Sequence, residues 1–179
     1  MERHYVDYKE YCNTIVSSLP KGILLTTQVN NQVNSMVIGW GTIGINWGKP
    51  MFVAYVRTGR YTRKLLDQNP EFTINTPLSE VDTHALQICG AKSGRDMDKI
   101  KECGFTLLDG EKVSVPAIKE FPLTLECKVI YRQEEVFDYL EKSVCERCYP
   151  QDIDSVNPGA NKDPHVMYFG EIVNAYIVE

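Results

Sequence analysis

Between Asn34 and Leu66 the chain reads NSMVIGWGTIGINWGKPMFVAYVRTGRYTRKLL, and no other stretch narrows its architecture as much. Glycines at 39, 41, 44 and 48 stud an apolar run that passes through Lys49-Pro50 into the continuous apolar segment Met51 to Val56. A run of that length, apolar at every position, suits a strand inside a sheet rather than at its edge. It ends in Arg57, and the cluster Arg60-Tyr61-Thr62 then opens a helical pattern. Backbone left bare by glycine can lie against an aromatic ring, and a guanidinium with a hydroxyl at a helix start matches a phosphate. The segment therefore suits a flat phosphorylated ligand. Taken as bare spacing it suits equally an ordinary hairpin, a sheet edge and a surface helix.

The rest of the chain supports a β-rich domain. Val6 to Ser18 carries a helical period that stops before Pro20. Gly22 to Val29 and Gln32 to Ile38 read as a hairpin turned by Asn30-Asn31, and Phe72 to Asn75 as a further strand. Thr62 to Gln68 is a short helix closed by Asn69-Pro70; Ser79 is expected to cap a helix to about Cys89, and Asp96 to Cys103 forms another that stops at Gly104. Phe121 to Arg132 and His165 to Val178 alternate as long strands, while residues 133–164 read as a partly helical excursion. Strands without a regular β–α repeat argue for a mostly antiparallel barrel with helical decoration.

At 179 residues the chain fits one domain, spanning 1–179, with ordinary globular composition (43% hydrophobic, 24% charged). A formal charge of −5 gives no electrostatic footprint for nucleic acid or an anionic membrane, and no apolar run is long enough to span a bilayer. The N-terminus MERHYVDYKEYC lacks the apolar core of a signal peptide, and six cysteines without an export signal read as reduced thiols, so a cytoplasmic location is expected. Cys145 and Cys148 form a lone C-x-x-C with no second pair at ligand spacing, so no metal site is expected.

The phrases NSMVIGWGTIG, WGKPMFVAYVR, GRYTRKLLD, EFTIN, CGAKSGRDMDK and HVMYFGEIVNAY, in that order, resemble the flavin-reductase-like proteins of the FMN-binding split-barrel superfamily, in particular their flavoredoxin branch. Two departures stand out. Met36-Val37 replaces a Met-Thr pair of many members, and Asn46-Trp47-Gly48-Lys49-Pro50 replaces a Ser and a Pro-Pro pair before the buried strand. The resemblance implies an FMN-binding split barrel, an antiparallel six-stranded β-barrel of Greek-key type decorated by α-helices. It also implies FMN as cofactor and a homodimer whose partner subunit completes each pocket. The aromatic N-terminal segment (Tyr5, Tyr8, Tyr11) is a candidate for that contact.

By the same resemblance Arg60, Tyr61 and Thr62 take the phosphate. The stretch Met36, Val37, Ile38, Gly39, Trp40, Gly41 and Thr42 meets the pyrimidine edge of the ring, Tyr55, Val56 and Arg57 flank it, and Asn34 is a further cofactor-binding candidate. Arg57 would stabilise the anion of the reduced ring. Ser93 and Lys99 add ribityl and phosphate contacts, and His165 is the one catalytic candidate. Taken as plain sequence, Ser93 to Lys99 is a turn and a capped helix start, and a histidine at a strand start is an ordinary structural residue. The expected activity is an FMN-dependent oxidoreductase passing reducing equivalents from NAD(P)H or a protein donor to flavin, ferric or protein acceptors. The alternatives are an electron carrier without its own substrate site and a cofactor-less binding module. No G-x-G-x-x-G nicotinamide fingerprint is present.

Overall fold

A computed structural model describes residues 2–80, 82–154 and 161–179. The part of the expected excursion at 155–160 lies outside the described residues. The main sheet has eight antiparallel strands: β1 (Arg3–Tyr5), β2 (Ile23–Val29), β3 (Gln32–Ile38), β4 (Gly41–Asn46), β5 (Lys49–Arg57), β6 (Glu71–Thr76), β9 (Leu123–Glu134) and β10 (His165–Val178). A small separate pair, β7 (Leu107–Leu108) and β8 (Ala117–Ile118), lies outside it. The helices are α1 (Cys12–Ser18), α2 (Tyr61–Leu66), α3 (Thr83–Ala91), α4 (Lys99–Glu102) and α5 (Lys142–Cys148).

Strand order is β3-β2-β6-β9-β10-β5-β4, with β1 added on β10. Met36 and Ile38 of β3 share one buried cluster with Phe52, Ala54 and Val56 of β5, although these strands are far apart in that order. The sheet must therefore curl around a common core. Register shifts at Phe169/Gly170 and Ile172/Asn174 give the long strand β10 the bends that such wrapping needs.

The six strands expected from the sequence are β2, β3, β5, β6, β9 and β10; β1 and β4 extend them. Asn30 (φ 48°) and Asn31 (φ 64°) make the tight β2–β3 turn, and Trp47 (φ 51°) with Gly48 (φ 68°) makes a second one between β4 and β5. The glycine-studded stretch is thus an exposed hairpin arm, as its plain reading had it. Three local expectations are corrected. The first segment opens with β1 and a 3-10 turn (Tyr8–Tyr11), and Tyr8 and Tyr11 pack against the barrel core, leaving only Tyr5 well exposed. Asp82, not Ser79, caps α3 by accepting from His84 N. The next helix starts at Lys99 behind the cap Asp98, because Ser93 to Met97 is turn.

Candidate functional site

The two faces of β5 divide its residues between core and site. Phe52, Ala54 and Val56 point into the barrel, which leaves Tyr55 and Arg57 on the other face. β10 runs alongside with His165 opposite Arg57 and Met167 opposite Tyr55. The end of β3 and the link Gly39-Trp40 pass over this pair, with the Trp40 ring 4.9 Å from the His165 ring. Residues 36–40 with Tyr55, Arg57, Arg60 and His165 enclose an open hollow of about 160 Å³.

Met36 and Arg60 also line a second hollow of about 110 Å³, so the two adjoin. Its walls hold four cationic side chains, Arg60, Lys92, Arg95 and Lys99, and no carboxylate. Lys99 is only 5% exposed; its Nζ donates to Ser35 O (3.0 Å) and Cys89 O (3.1 Å), with no acid beside it. Burial pushes its pKa down. Burial also pushes the Cys89 thiol up to about 12, so this neighbour supplies no counter-charge at neutral pH. Arg60 donates to Gly90 O and Arg95 to Gly59 O, while the Arg95 guanidinium stacks over Tyr61 at 5.5 Å.

Asn34, buried on β3, donates through Nδ2 to Thr62 Oγ1 at 3.0 Å, while its Oδ1 has no partner. Gly94 comes so close that a Cβ there would run into that Oδ1 and press on the Tyr61 ring. An orphaned amide atom, a backbone held bare and cations without acids are the marks of a cup built for an anionic group with both donors and acceptors. They fit the phosphate and adjoining hydroxyls of FMN. Thr62 is the second residue of α2 and fully engaged with Asn34; it does not cap the helix, whose cap position belongs to Arg60.

At the other end, Glu135, Tyr149 and His165 form a triangle. Tyr149 gives its hydroxyl hydrogen to Glu135 Oε2 (2.6 Å), so its oxygen accepts from His165 Nδ1 at 2.7 Å. Nδ1 then carries the ring proton, and Nε2 is left as a lone pair. Burial and the nearby Arg57 lower the His165 pKa, against the pull of Glu135, which favours the neutral ring at pH 7. Burial and the Glu135 bond push the Tyr149 hydroxyl up, so it serves as a relay rather than an anion.

Arg57 lines the hollow, as expected of it, but its guanidinium is also engaged from behind. Its two terminal nitrogens donate to the carbonyls of Cys148, Asn161 and Asp163, and its guanidinium stacks on Tyr149 at 4.9 Å. The excursion has claimed that fork. Val56 faces the core, and Gly41 is bare because a Cβ would meet the Phe52 ring at 2.7 Å, a packing reason. Thr42 is exposed on β4, its hydroxyl 3.5 Å from that of Tyr55, outside the hollow. The Val37 side chain packs toward α3, and those of Met36 and Ile38 join the core, so the chain between 36 and 40 serves the hollow mainly with backbone.

The structure gathers Asn34, Arg60, Tyr61, Thr62, Ser93 and Lys99 around the cup. Sequence reasoning missed Lys92 and Gly94 there, although both stand beside the quoted Ser93 loop, and missed Glu135 and Tyr149, for which no local signal exists. Cys145 and Cys148 are free thiols on α5, and among the described residues no group of three or more His, Cys, Asp or Glu could hold a metal ion.

Comparison with known proteins places the chain in a family. The family described as "Flavin reductase like domain" matches residues 16–179. An uncharacterized protein of Pyrococcus abyssi (strain GE5 / Orsay) is 32% identical over 106 residues, covering 59% of this chain and 59% of that one. The matched stretch thus spans well under two thirds of that relative's length. The crystal structure of a flavoredoxin from Methanosarcina acetivorans superposes with TM-score 0.63 at 28% identity, over 88% of this chain and 68% of that one. The flavoredoxin of Desulfovibrio vulgaris (Miyazaki F) shares the fold, with TM-score 0.63 at 23% identity over 88% and 69%. The chain belongs to the flavin reductase-like family, with its mostly antiparallel split-barrel fold.

Proposed function

We propose that this protein binds FMN, with the phosphate in the cup of Arg60, Arg95 and Lys99 and the ring over residues 36–40, and works as an oxidoreductase. It takes reducing equivalents from NAD(P)H or a protein donor and passes them to flavin, ferric or protein acceptors. The observation that carries this reading is the cup: four cations without an acid, meeting at an orphaned Asn34 amide. When bound, FMN supplies the hydride-accepting and hydride-donating centre. The protein supplies position, the aromatic walls of Trp40 and Tyr55, and a proton acceptor at His165 Nε2 whose tautomer Tyr149 and Glu135 fix.

The two hollows lined by Met36 and Arg60, about 110 and 160 Å³, are each below the roughly 300 Å³ where small-molecule pockets begin. That supports a homodimer in which a second subunit covers the ring. The exposed hairpin residues Ile45 and Trp47 offer apolar surface for such a contact.

A second reading, an electron carrier without a substrate site, is favoured by the likeness to the Methanosarcina flavoredoxin. Anaerobic mixing of the FMN-loaded protein with NADH and with NADPH separates the two. Fast bleaching of the flavin by one nucleotide supports the reductase; bleaching only by dithionite supports the carrier. A purified protein that neither carries nor takes up FMN overturns both.

A further inference from the structure

The cup draws Lys92, Arg95, Lys99 and the bare Gly94 from one stretch of chain, and cysteines bracket that stretch. Cys89 lies near the end of α3, and Cys103 is the C-cap residue of α4, with their sulfurs 4.0 Å apart. Both pack with Leu24, Ile118 and Phe121, where Cys89 is sealed off and Cys103 is partly reached by solvent. The same two residues hold the cup's buried lysine. Cys89 O accepts from Lys99 Nζ at 3.1 Å, and Cys103 N donates to Lys99 O at 3.0 Å. Binding of a flavin phosphate gives the two thiols no task.

Resting on the FMN reading above, we propose that Cys89 and Cys103 form a reversible disulfide whose closure locks the flavin phosphate in the cup. The oxidant is hydrogen peroxide. The Cys103 thiolate attacks one peroxide oxygen, the O–O bond breaks with loss of hydroxide, and a sulfenic acid forms. The Cys89 sulfur then attacks the Cys103 sulfur, the S–O bond breaks, and the hydroxyl leaves as water with the Cys89 proton. Two thiols and one peroxide thus give one disulfide and two waters. Burial pushes both thiols up, so the first step is slow at neutral pH and answers sustained rather than brief exposure. A disulfide needs its sulfurs about 2 Å apart, and α4, only four residues long, can follow Cys103 as the gap closes. The loop so closed is 90–102. Tying its ends removes open arrangements of the cup that compete with the bound one, so the oxidised form should hold FMN more tightly.

The protein treated with hydrogen peroxide, and then with a dithiol reductant, tests this. Mass spectrometry of digests should show Cys89 joined to Cys103 after peroxide, with the loss of two hydrogens, and both thiols restored after the reductant. The oxidised form should bind FMN about three- to tenfold more tightly and release it more slowly. Amide exchange across 92–101 should slow in the oxidised apoprotein even without flavin. Cys103→Ser keeps a donor toward Ala85 O, and should bind FMN as the reduced protein does, with no change after peroxide. Peroxide that takes Cys103 to a sulfinic acid with no bond to Cys89 would overturn the proposal. So would an oxidised form whose FMN affinity is unchanged or weaker, or a peroxide response that persists in Cys103→Ser. FMN that binds neither form, with the bond mapped and exchange slowed, would keep the locked loop and remove the FMN reading beneath it.

Discussion

The barrel buries two side chains of opposite charge, Glu126 and Lys99, and treats them in opposite ways. Glu126 on β9 is fully buried and saturated: it accepts from Glu111 N (2.8 Å), Lys112 N (2.7 Å) and the Tyr176 hydroxyl (2.9 Å). Its donors come from a loop and from β10, so the carboxylate ties three segments together. Lys99 meets only two backbone carbonyls and stands among three other cations. A buried charge with its partners inside the chain holds the fold together. One whose partner is missing costs stability until something from outside supplies it. The contrast separates scaffold from site without reference to any relative.

Breaking the saturated site should have the largest effect. Glu126→Leu leaves two backbone N–H groups and a tyrosine hydroxyl unpaired in the interior, a loss of roughly 3–5 kcal/mol of stability. Urea denaturation should show it, with FMN affinity of the folded fraction unchanged. Arg60→Ala comes next and should act in the reverse sense. Removing one charge-assisted contact of about 1.5–3 kcal/mol weakens FMN about ten- to a hundredfold. Riboflavin, which lacks the phosphate, should barely respond, and the urea midpoint should hold. Equal weakening of both flavins would move Arg60 from the cup to the scaffold. Thr62→Ala should cost about 1 kcal/mol of FMN binding through the freed Asn34 amide rather than through a helix cap.

A smaller effect sharpens the comparison through pH. Burial lowers the folded-state pKa of Lys99 below the ordinary 10.5. Between the two values the unfolded chain holds more protons, so the apoprotein should gain stability as pH rises through that window. FMN phosphate in the cup raises the folded pKa and should flatten the gain, and Lys99→Met should abolish it. Urea midpoints of apo, FMN-loaded and variant protein across this window check the sign. Least of all should come from Cys145→Ser with Cys148→Ser. Among the described residues the two thiols have no metal-ligating cluster around them, so flavin content and its reduction should stay at the native level.

The buried strands were readable because a core strand advertises itself: Ile23 to Leu25 and Met51 to Val56 are continuous apolar runs. The turn at Asn30-Asn31 was readable because two adjacent residues that tolerate positive φ are rare outside tight hairpins. β1 was not, since Arg3–Tyr5 carries no apolar alternation and becomes a strand only by pairing with Tyr176 to Val178. β4 escaped for a related reason: its residues remain largely exposed, so burial left no period to read.

At the site, the residue phrases around Arg60 and Ser93 pointed to a cationic cup, because cations and hydroxyls are written in residue types. By itself the sequence determined the six main strands and two of the cup's cations, Arg60 and Lys99. Which side chain serves which task was decided in three dimensions. Alternation along β5 sent Val56 inward and Tyr55 outward, and the carbonyls of Cys148, Asn161 and Asp163 captured Arg57. Residues far apart in the chain, Glu135 and Tyr149, set the proton on His165. A side chain's chemistry is local, but its partners are chosen by whatever the folded chain brings within about 3 Å of it.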